Sequence, residues 1–239
     1  MTQSNATMDF LQGVFRFGFR LMLDVAFKLI YRTQAIGREN IPKKGGVLVA
    51  CNHISAVDTM LVPYMALDRF TLRQFYAPAK EELFKYRPMA WFFRAGGAFP
   101  VKRGRRDDAS RDKIAELTKE HLMMIFPEGT RSKNGKLLPG KTGVGKIIYE
   151  SRVPVLPTIV INTNYCSPKG SWSPIIFLPF KVVFGKPLDF GRFYDMPAEK
   201  ATYRAIVDNL MDEIRKLQLE YMHLDIQPER LEKSEPENA

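Results

Sequence analysis

A run of five apolar residues, Val47–Cys51, constrains the fold of this chain more than any other stretch of the sequence. It follows a glycine pair at 45–46, is short and carries no charge, which are the features of a buried strand. Asn52 and Ser55 come next. Both residue types favour turns and helix N-caps, so we expect the strand to end beside them and a helix to begin soon after. The chain therefore turns sharply at the end of a buried strand.

Two side chains capable of acid–base chemistry flank this turn. His53 lies at the predicted strand end and Asp58 at the start of the predicted helix, which tolerates Pro63 only near its first turn. A tight turn can bring the carboxylate to one imidazole nitrogen and leave the other facing a substrate. Such an Asp fixes the histidine tautomer and supports a transient positive charge, which makes the histidine a general base. The alternative is a structural histidine and an Asp that only complements the helix dipole.

Apolar runs of strand length alternate with helical patterns along the rest of the sequence. This alternation predicts an α/β fold, with one layered domain whose mixed, largely parallel sheet is flanked by helices. With 239 residues and 45% hydrophobic content, the chain is long enough for one domain with a full core. We place this domain at residues 35–226, after an N-terminal segment (1–34) and before a polar tail (227–239) that we predict to be disordered.

The same patterns give approximate bounds for the other elements. Further strands are predicted at 34–44 (with a turn), Leu72–Ala77, Gly96–Val101, Leu122–Phe126, Val153–Ile161 and Ile175–Phe184. Further helices are predicted at Glu81–Arg94, Asp107–His121, Thr142–Ser151 and Ala198–Met222. Pro88 should bend the first of these helices, and Pro78 should end the strand before it.

The N-terminal stretch from Asp9 to Tyr31 has the composition of an amphipathic helix. Charged residues recur at every fourth position and lie near one helical stripe: Arg16, Arg20, Asp24 and Lys28. The remaining surface is rich in phenylalanine, leucine and methionine. An aromatic apolar face beside a basic stripe is typical of a helix in a membrane interface, so we predict a membrane-associating segment. The alternative is a helix packed on the protein's own core.

Charge and cysteine content restrict the functions open to the chain. The formal net charge of +10 favours an anionic partner, whether nucleic acid, acidic lipid headgroups or a phosphorylated substrate. Nucleic acid is disfavoured because the aromatic residues lie in apolar helices and not within a basic stripe. Cys51 and Cys166 form no CxxC pattern, so we expect reduced thiols, a cytosolic setting and no structural zinc. We expect neither a signal peptide nor a membrane-spanning helix.

A second polar cluster follows the predicted strand that begins at Leu122. That strand leads into Phe126–Ser132, where Gly129 allows a sharp turn and presents Glu128, Thr130 and Arg131 at the carboxyl end of the strand. This edge is where α/β sheets usually bind ligands. The arginine fork and the hydroxyl suit a phosphate, and the glutamate could accept a hydrogen bond from a substrate hydroxyl or hold the arginine. The alternative is a surface ion pair of little energetic value.

The stretch Gly140–Lys146 has the G-x4-G-K spacing of a nucleotide-binding loop, but its context does not fit one. Ile147 stands where a serine or threonine must bind magnesium, and no strand precedes the glycines. We therefore predict a helix start whose glycines allow close packing against neighbouring elements.

Four short sequence blocks follow one another between residues 52 and 157. They are Asn52–Asp58 (NHISAVD), Gly97–Gly104, Phe126–Ser132 (FPEGTRS) and Val153–Pro157. In these blocks the chain resembles the glycerophospholipid acyltransferases, specifically the 1-acyl-sn-glycerol-3-phosphate acyltransferases, and the first and third blocks are the most specific. The second block departs from the family pattern, because Lys102 stands where an acidic residue usually precedes the arginine at position 103.

The resemblance implies a reaction and a set of site residues. His53 would be the general base that removes the proton from the 2-hydroxyl of lysophosphatidic acid, and Asp58 would orient it. The oxygen would attack an acyl thioester directly to give phosphatidic acid, in phospholipid biosynthesis, which agrees with the lack of a G-x-S-x-G nucleophile elbow. The glycerol-phosphate part would be bound by Arg103, Glu128, Gly129, Thr130 and Arg131.

The same resemblance implies co-substrates and partners. The donor would be an acyl-CoA or an acyl carrier protein thioester, and no bound cofactor or metal is expected. A lysophospholipid is located in a bilayer, so the protein would contact membrane phospholipids. We expect it at the cytoplasmic face of the cell membrane, as a peripheral or monotopic protein. Its basic residues would each add about 1 kcal/mol of attraction near an acidic surface. The alternatives are another lysolipid acceptor, such as a lyso-ornithine lipid, and a non-catalytic anionic-lipid binder.

Overall fold

A seven-stranded sheet forms the centre of the computed structural model, which describes residues 18–67, 75–101, 108–132, 134–166 and 177–225. Its strands are β1 (Gln34–Ile36), β2 (Val47–Cys51), β3 (Phe75–Lys80), β4 (Ala98–Val101), β5 (Leu122–Ile125), β6 (Val155–Ile161) and β7 (Lys181–Phe184). Their order is β1-β7-β6-β2-β5-β3-β4, and every pairing is parallel except that of β6 with β7. The predicted mixed, largely parallel sheet is confirmed.

Helices cover both faces of this sheet. The longer ones are α1 (Asp58–Ala66), α2 (Arg87–Ala95), α3 (Asp108–Glu120), α4 (Thr142–Ser151) and α5 (Lys200–Glu220). Short helices lie at Arg38–Asn40, Glu81–Phe84, Thr163–Cys166, Gly191–Tyr194 and Met222–Leu224. The helix at residues 18–30, here called the N-terminal helix, ends in a π-helical turn at Val25–Ile30. One core cluster joins α3, α4 and α5 to the sheet, and a second joins the N-terminal helix and α1 to the opposite face.

Strand β2 lies at the middle of these layers, as its apolar sequence requires. All five of its residues are completely buried. Leu48 and Ala50 point into the core cluster under α3–α5, whereas Val47, Val49 and Cys51 point into the cluster under α1. Successive strand residues face opposite sides of a sheet, so only an uninterrupted apolar run can occupy this position.

Prolines produce the main differences from the predicted elements. The helix predicted at Glu81–Arg94 is two pieces, a short 3₁₀ helix and then α2, with Pro88 in the first turn of α2 where its missing N–H costs no hydrogen bond. Pro63 lies inside α1, beyond the first turn to which we restricted it. Strand β3 continues through Pro78, and residues 72–74 of the predicted strand lie outside the described part of the chain.

The glycine-rich stretch that begins at residue 140 leads into α4, as predicted, and its glycines face neighbouring elements at short range. A Cβ at Gly145 would lie 2.0 Å from the carbonyl oxygen of Tyr203 in α5. One at Gly143 would lie 2.8 Å from Nε of Arg111 in α3. The backbone contact at Gly145 leaves no room for a side chain, whereas Arg111 at Gly143 is a flexible side chain that could move. Close packing therefore accounts for the glycine at 145.

The N-terminal helix packs on the domain, and two of its charged residues, Arg20 and Asp24, lie against Tyr64 of α1. Leu23 and Phe27 are buried in the core cluster beside α1. Asp24 accepts a hydrogen bond from Tyr64 Oη and lies 2.9 Å from Lys28 Nζ, and the Tyr64 bond is the main cause that lowers the pKa of Asp24 to about 2. Arg20 and Asp24 thus lie against α1, whereas Lys28 is 53% exposed. Residues 1–17 and the predicted polar tail lie outside the described residues.

Candidate active site

Three adjacent parallel strands deliver the candidate site to one edge of the sheet. Strands β5, β2 and β6 are neighbours, so their carboxyl ends lie side by side. His53 follows β2, Glu128 follows β5 and Thr163 follows β6, each within a few residues of the strand end. Ligands bind at such carboxyl edges in open α/β sheets, and here the edge gathers two clusters that are distant in the sequence.

The imidazole and the carboxylate predicted to act together are in contact. Nδ1 of His53 lies 3.0 Å from Oδ2 of Asp58. The same oxygen accepts the backbone N–H groups of Ile54 (2.9 Å) and Ser55 (2.8 Å), and the other oxygen accepts the hydroxyl of Thr163 (2.6 Å). Asp58 is fully buried, and all four partners can donate to it. This arrangement suits an ionised carboxylate, because that form only accepts.

The hydrogen bond to Asp58 leaves the other ring nitrogen of His53 available. With Nδ1 donating to the carboxylate, Nε2 is the unprotonated nitrogen and can accept a proton. The ring stacks on Phe126, with centroids 3.8 Å apart and planes 12° from parallel. It also borders a large cavity, although only 11% of its side chain is exposed. The histidine is therefore held in one orientation and faces a space that a substrate can enter.

The carboxyl group of Glu128 binds backbone N–H groups, whereas we predicted that it binds a substrate hydroxyl or holds the arginine. The Glu128 side chain is 1% exposed, and its two oxygens accept the backbone N–H groups of His53 and Leu138, each at 2.8 Å. The carboxyl group therefore joins the end of β2 to the returning loop and does not face the cavity. A substrate-binding role for Glu128 does not fit this geometry. We assign it as a positioning residue that fixes the backbone of His53.

Replacing Glu128 with alanine should lower both stability and turnover. The change leaves two partly buried N–H groups without their acceptor, at a cost of at most about 1–3 kcal/mol each, and it releases the backbone of His53. Urea unfolding and acyl-transfer kinetics would measure the two effects. A variant with unchanged stability and activity would contradict the positioning role.

Glu128→Gln tests the electrostatics of the same position. Burial is the main cause that raises the pKa of Glu128 above its ordinary value of 4.5. The folded protein therefore keeps this proton more tightly than the unfolded chain does, and the stability of the wild type falls as pH rises from about 4.5 towards the raised pKa. Glutamine has no such proton. The free energy of unfolding of the wild type should decline relative to that of Glu128→Gln over this window, and parallel pH profiles would contradict the assignment.

The other predicted binding residues differ in whether they border the cavity. Gly129 has φ of +68°, which glycine adopts without strain, and it borders the cavity. Thr130 is exposed and Arg131 is half-buried on the same turn, and neither is among the residues that line the cavity. Arg103 lies outside the described residues, as does Lys102. Substrate binding by these four residues stays a prediction.

Sequence reasoning missed two residues that hold the site together. Thr163 donates to Asp58, but nothing near it in the sequence marks it, since it comes from the end of another strand. The sequence pattern predicts only a turn or helix N-cap role for Asn52. Its side-chain amide instead pairs with Val160 of β6, accepting the N–H at 2.8 Å and donating to the carbonyl at 3.3 Å. The only sequence signal for a structural role of Asn52 is its position directly before His53 in the first motif.

The cavity beside His53 lies where two strands separate. Strand β3 pairs with β5 at Phe75 and Tyr76 but with β4 from Ala77 onward. The cavity, with a volume of about 720 Å³, is lined by consecutive residues of both separating segments, Ala77–Ala79 and Met124–Phe126. Most of its lining is apolar. The charged side chains among its described lining are Arg20, Arg111 and Lys141, and none of that lining is a carboxylate.

Comparison with known proteins places this architecture in a family. The model of the family described as Acyltransferase matches residues 32–161, which include His53, Asp58 and the turn at Glu128. The chain belongs to the Acyltransferase family. The matched region contains β2, β5 and β6, the three strands whose carboxyl ends form the site.

Several members of this family with assigned names are similar to the chain. It is 32% identical over 163 residues to the 1-acyl-sn-glycerol-3-phosphate acyltransferase of Saccharomyces cerevisiae, covering 63% of this chain and 48% of that protein. It is 27% identical over 202 residues to the Bacillus subtilis enzyme of that name (82% and 93%). For the Brassica napus chloroplast protein the identity is 28% over 187 residues (76% and 52%). The chain thus spans about half the length of the yeast and Brassica relatives.

A solved member of the family has a related fold. The crystal structure of the 1-acyl-sn-glycerophosphate (LPA) acyltransferase PlsC from Thermotoga maritima superposes on this acyltransferase-family chain with a TM-score of 0.55. The two are 28% identical, and the match covers 77% of this chain and 72% of that one. The layered domain with a mostly parallel sheet is therefore shared.

Proposed function

We propose that this protein transfers a fatty acyl group from a thioester to the 2-hydroxyl of 1-acyl-sn-glycerol-3-phosphate, giving phosphatidic acid. The observation that carries the proposal is the His53–Asp58 pair, which borders an apolar cavity whose charged described lining is entirely basic. A mostly apolar cavity with cations in its lining fits a lipid that carries an anionic headgroup. The names of the relatives support the same acceptor.

The pair can perform this transfer without a covalent enzyme intermediate. Nε2 of His53 accepts the proton of the 2-hydroxyl as that oxygen attacks the thioester carbonyl carbon. Asp58, hydrogen-bonded to Nδ1, stabilises the imidazolium that forms. The tetrahedral intermediate then collapses, the carbon–sulfur bond breaks, and the thiolate leaves with the proton that Nε2 took. Histidine is thus first a base and then an acid, and it is restored at the end of the cycle.

We propose that the headgroup lies towards the turn after β5. In this arrangement Gly129 allows close approach, and Thr130, Arg131 and Arg103 bind the glycerol-phosphate. The hydroxyl and the guanidinium groups supply the donors that a phosphate requires. The thioester donor is either acyl-CoA or acyl carrier protein, and both present the same reacting carbonyl.

We also propose that the protein works at a membrane surface, on the cytoplasmic face. The N-terminal helix exposes apolar side chains at a spacing of four residues, namely Leu21 (54% exposed), Val25 (41%) and Leu29 (69%). A stripe of this kind on a helix fits the boundary between headgroups and acyl chains. Among the described helices, none is both long and apolar enough to cross a bilayer. Free thiols at both cysteines accord with a reducing compartment.

An acyl-transfer assay tests the reaction directly. Lysophosphatidic acid is presented in vesicles of phosphatidylglycerol or of phosphatidylcholine, with labelled palmitoyl-CoA or palmitoyl carrier protein as donor. We expect labelled phosphatidic acid, with more protein sedimenting with the anionic vesicles and faster turnover on them. No product with either donor would reject this acceptor and lead to other lysolipids. Product without sedimentation on either vesicle would reject the membrane proposal and keep the reaction.

A further inference from the structure

The connection between β3 and β4 forms part of the cavity wall. It consists of the 3₁₀ helix Glu81–Phe84 followed by α2, and its Leu83 and Phe93 line the cavity. The ring centroids of Phe84 and Phe93 lie 5.9 Å apart, so the two helices pack on each other. Leu83 is nevertheless 40% exposed. The connection therefore borders the inside of the cavity and also the surface around its opening.

One side of α2 continues from the cavity wall to the protein surface. The carbonyl of Tyr86 accepts the N–H of Ala90 at 2.8 Å, so Tyr86 begins the first helical turn. Residues three, four and seven positions apart lie on one side of a helix, and this side carries Tyr86, Met89, Ala90 and Phe93, here called the apolar stripe of α2. Ala90 is buried and Phe93 lines the cavity. Tyr86 is 68% exposed and Met89 is 43% exposed, so the stripe leads from the cavity out to solvent.

Basic side chains accompany the apolar stripe of α2. Between positions 80 and 95 the described residues carry more exposed basic than acidic side chains, namely Lys80, Lys85, Arg87 and Arg94 against Glu81 and Glu82. Positions 87, 91 and 94 share the adjoining side of α2, where the two arginines lie with Trp91, which is 42% exposed. An exposed apolar stripe flanked by arginines and a tryptophan is typical of a helix in the interface of an anionic bilayer.

We propose that the connection between β3 and β4 is a second membrane-contacting surface, with Leu83, Tyr86 and Met89 entering the headgroup region of an anionic bilayer. The proposal rests on the proposed function, because it gives the lysolipid a route from the bilayer into the cavity. The N-terminal helix lines the same cavity through Phe19 and Leu23. Two helices with exposed apolar residues thus contribute to one cavity, and an acyl chain that leaves the bilayer can stay in contact with apolar surface.

A bilayer fits the stripe better than a second protein chain does. A protein that covered Tyr86 and Met89 would lie across the surface that leads into the cavity and would obstruct the entry of lipid. A bilayer covers the same side chains and supplies the lipid. The excess of basic side chains beside the stripe also favours an anionic surface.

Sedimentation with phosphatidylglycerol vesicles tests this surface in the folded protein. Tyr86→Ser combined with Met89→Ser removes two exposed apolar side chains that are not among those lining the cavity. We expect this double variant to bind vesicles roughly tenfold more weakly, since two side chains lose part of their burial in the bilayer. The control combines Leu219→Ser with Met222→Ser, whose side chains are 63% and 65% exposed outside the cavity lining, and it should bind like the wild type.

Two results of this comparison would overturn the proposal. One is equal binding by the wild type and the Tyr86/Met89 double variant, or an equal loss in the control. The other is a change of oligomeric state in gel filtration with unchanged vesicle binding, because the stripe would then be a contact between chains.

Turnover separates the membrane surface from the reaction. With 1-hexanoyl lysophosphatidic acid below its micellar concentration, the Tyr86/Met89 double variant should match the wild type, whereas transfer to lysolipid in vesicles should fall roughly tenfold. An equal loss on both substrates would place the effect in the cavity and overturn the surface. A wild type that binds vesicles through these residues but transfers no acyl group would reject the proposed function and keep the surface.

Trp91 reports insertion by fluorescence. The chain has two tryptophans, so Trp172→Phe leaves Trp91 as the single one. Its emission should shift to shorter wavelength when phosphatidylglycerol vesicles are added, and lipids brominated on the acyl chains should quench it. Emission that stays unchanged while the protein sediments with vesicles would assign the contact to the N-terminal helix alone and overturn the second surface.

Discussion

Replacing His53 with alanine should reduce kcat by about 1,000-fold, within the range that general acid–base catalysis supplies. The ring is the group that accepts the substrate proton, and its Nε2 is the nitrogen left free by the bond to Asp58. The fold should survive, since the backbone of residue 53 stays anchored by the carboxyl of Glu128 and by the bond from Ser132 N–H to its carbonyl (2.7 Å). Acyl transfer to lysophosphatidic acid measures the loss.

His223→Ala is the control for this experiment. That histidine is exposed on the short helix Met222–Leu224, and it does not line the cavity. The His223→Ala variant should retain full acyl-transfer activity. Thermal unfolding of both variants must match the wild type for the comparison to hold. A folded His53→Ala protein with more than a tenth of the wild-type kcat would remove the histidine from the chemical step.

Asp58→Asn should lower kcat almost as strongly, by about 1,000-fold, with little change in KM. The carboxylate accepts four hydrogen bonds, and an amide in its place would point an NH₂ group at one of those donors. If that donor is Nδ1 of His53, the ring must take the other tautomer, which places a proton on Nε2 and removes the base. The pH–rate profile should lose the limb that reports the base.

Thr163→Val separates orientation from charge in the same network. It removes one donor from Oδ1 of Asp58 and leaves the carboxylate itself in place. We expect a loss of roughly 2- to 10-fold, the worth of one hydrogen bond. An Asp58→Asn variant as active as Thr163→Val would show that the charge of Asp58 has no special role.

The local part of this site could be predicted because one turn contains it. A strand of five apolar residues followed by a turn and a helix start places His53 and Asp58 five residues apart on one turn, where they are in contact. The seven-stranded sheet followed from the same kind of pattern. Bounds failed mainly at prolines, because a proline in the first turn begins a helix, whereas the sequence pattern alone extends the helix through it.

The supporting part could not be predicted because it depends on contacts between distant segments. The direction of the Glu128 carboxyl is set by Leu138, ten residues away in a loop with no regular pattern, and by the end of β2. Thr163 reaches Asp58 only because β6 lies beside β2 in the sheet. Strand order is a property of the whole fold, so a local sequence pattern predicts neither the hydrogen bond of Glu128 with Leu138 nor that of Thr163 with Asp58.

The N-terminal helix shows the same limit in another form. The fourfold spacing of its charges predicts a common stripe, and Asp24 lies near both Arg20 and Lys28. Spacing does not say which way a side chain faces: Tyr64 of α1 supplies a hydroxyl for Asp24 and a ring for Arg20, which direct these two toward the domain, whereas Lys28 stays 53% exposed. Leu21, Val25 and Leu29 are exposed on the outside of the helix.

The way this helix ends fixes its position relative to the sheet. Directly after it, the carbonyl of Tyr31 accepts the N–H of Phe180, their rings stack at 4.2 Å, and Gln34 at the start of β1 donates its N–H back to Phe180. Backbone hydrogen bonds and a ring stack therefore tie the end of the helix to the sheet that carries His53. If the exposed side of the helix binds a bilayer, as proposed, the membrane and the catalytic edge of the sheet keep a fixed relation to each other.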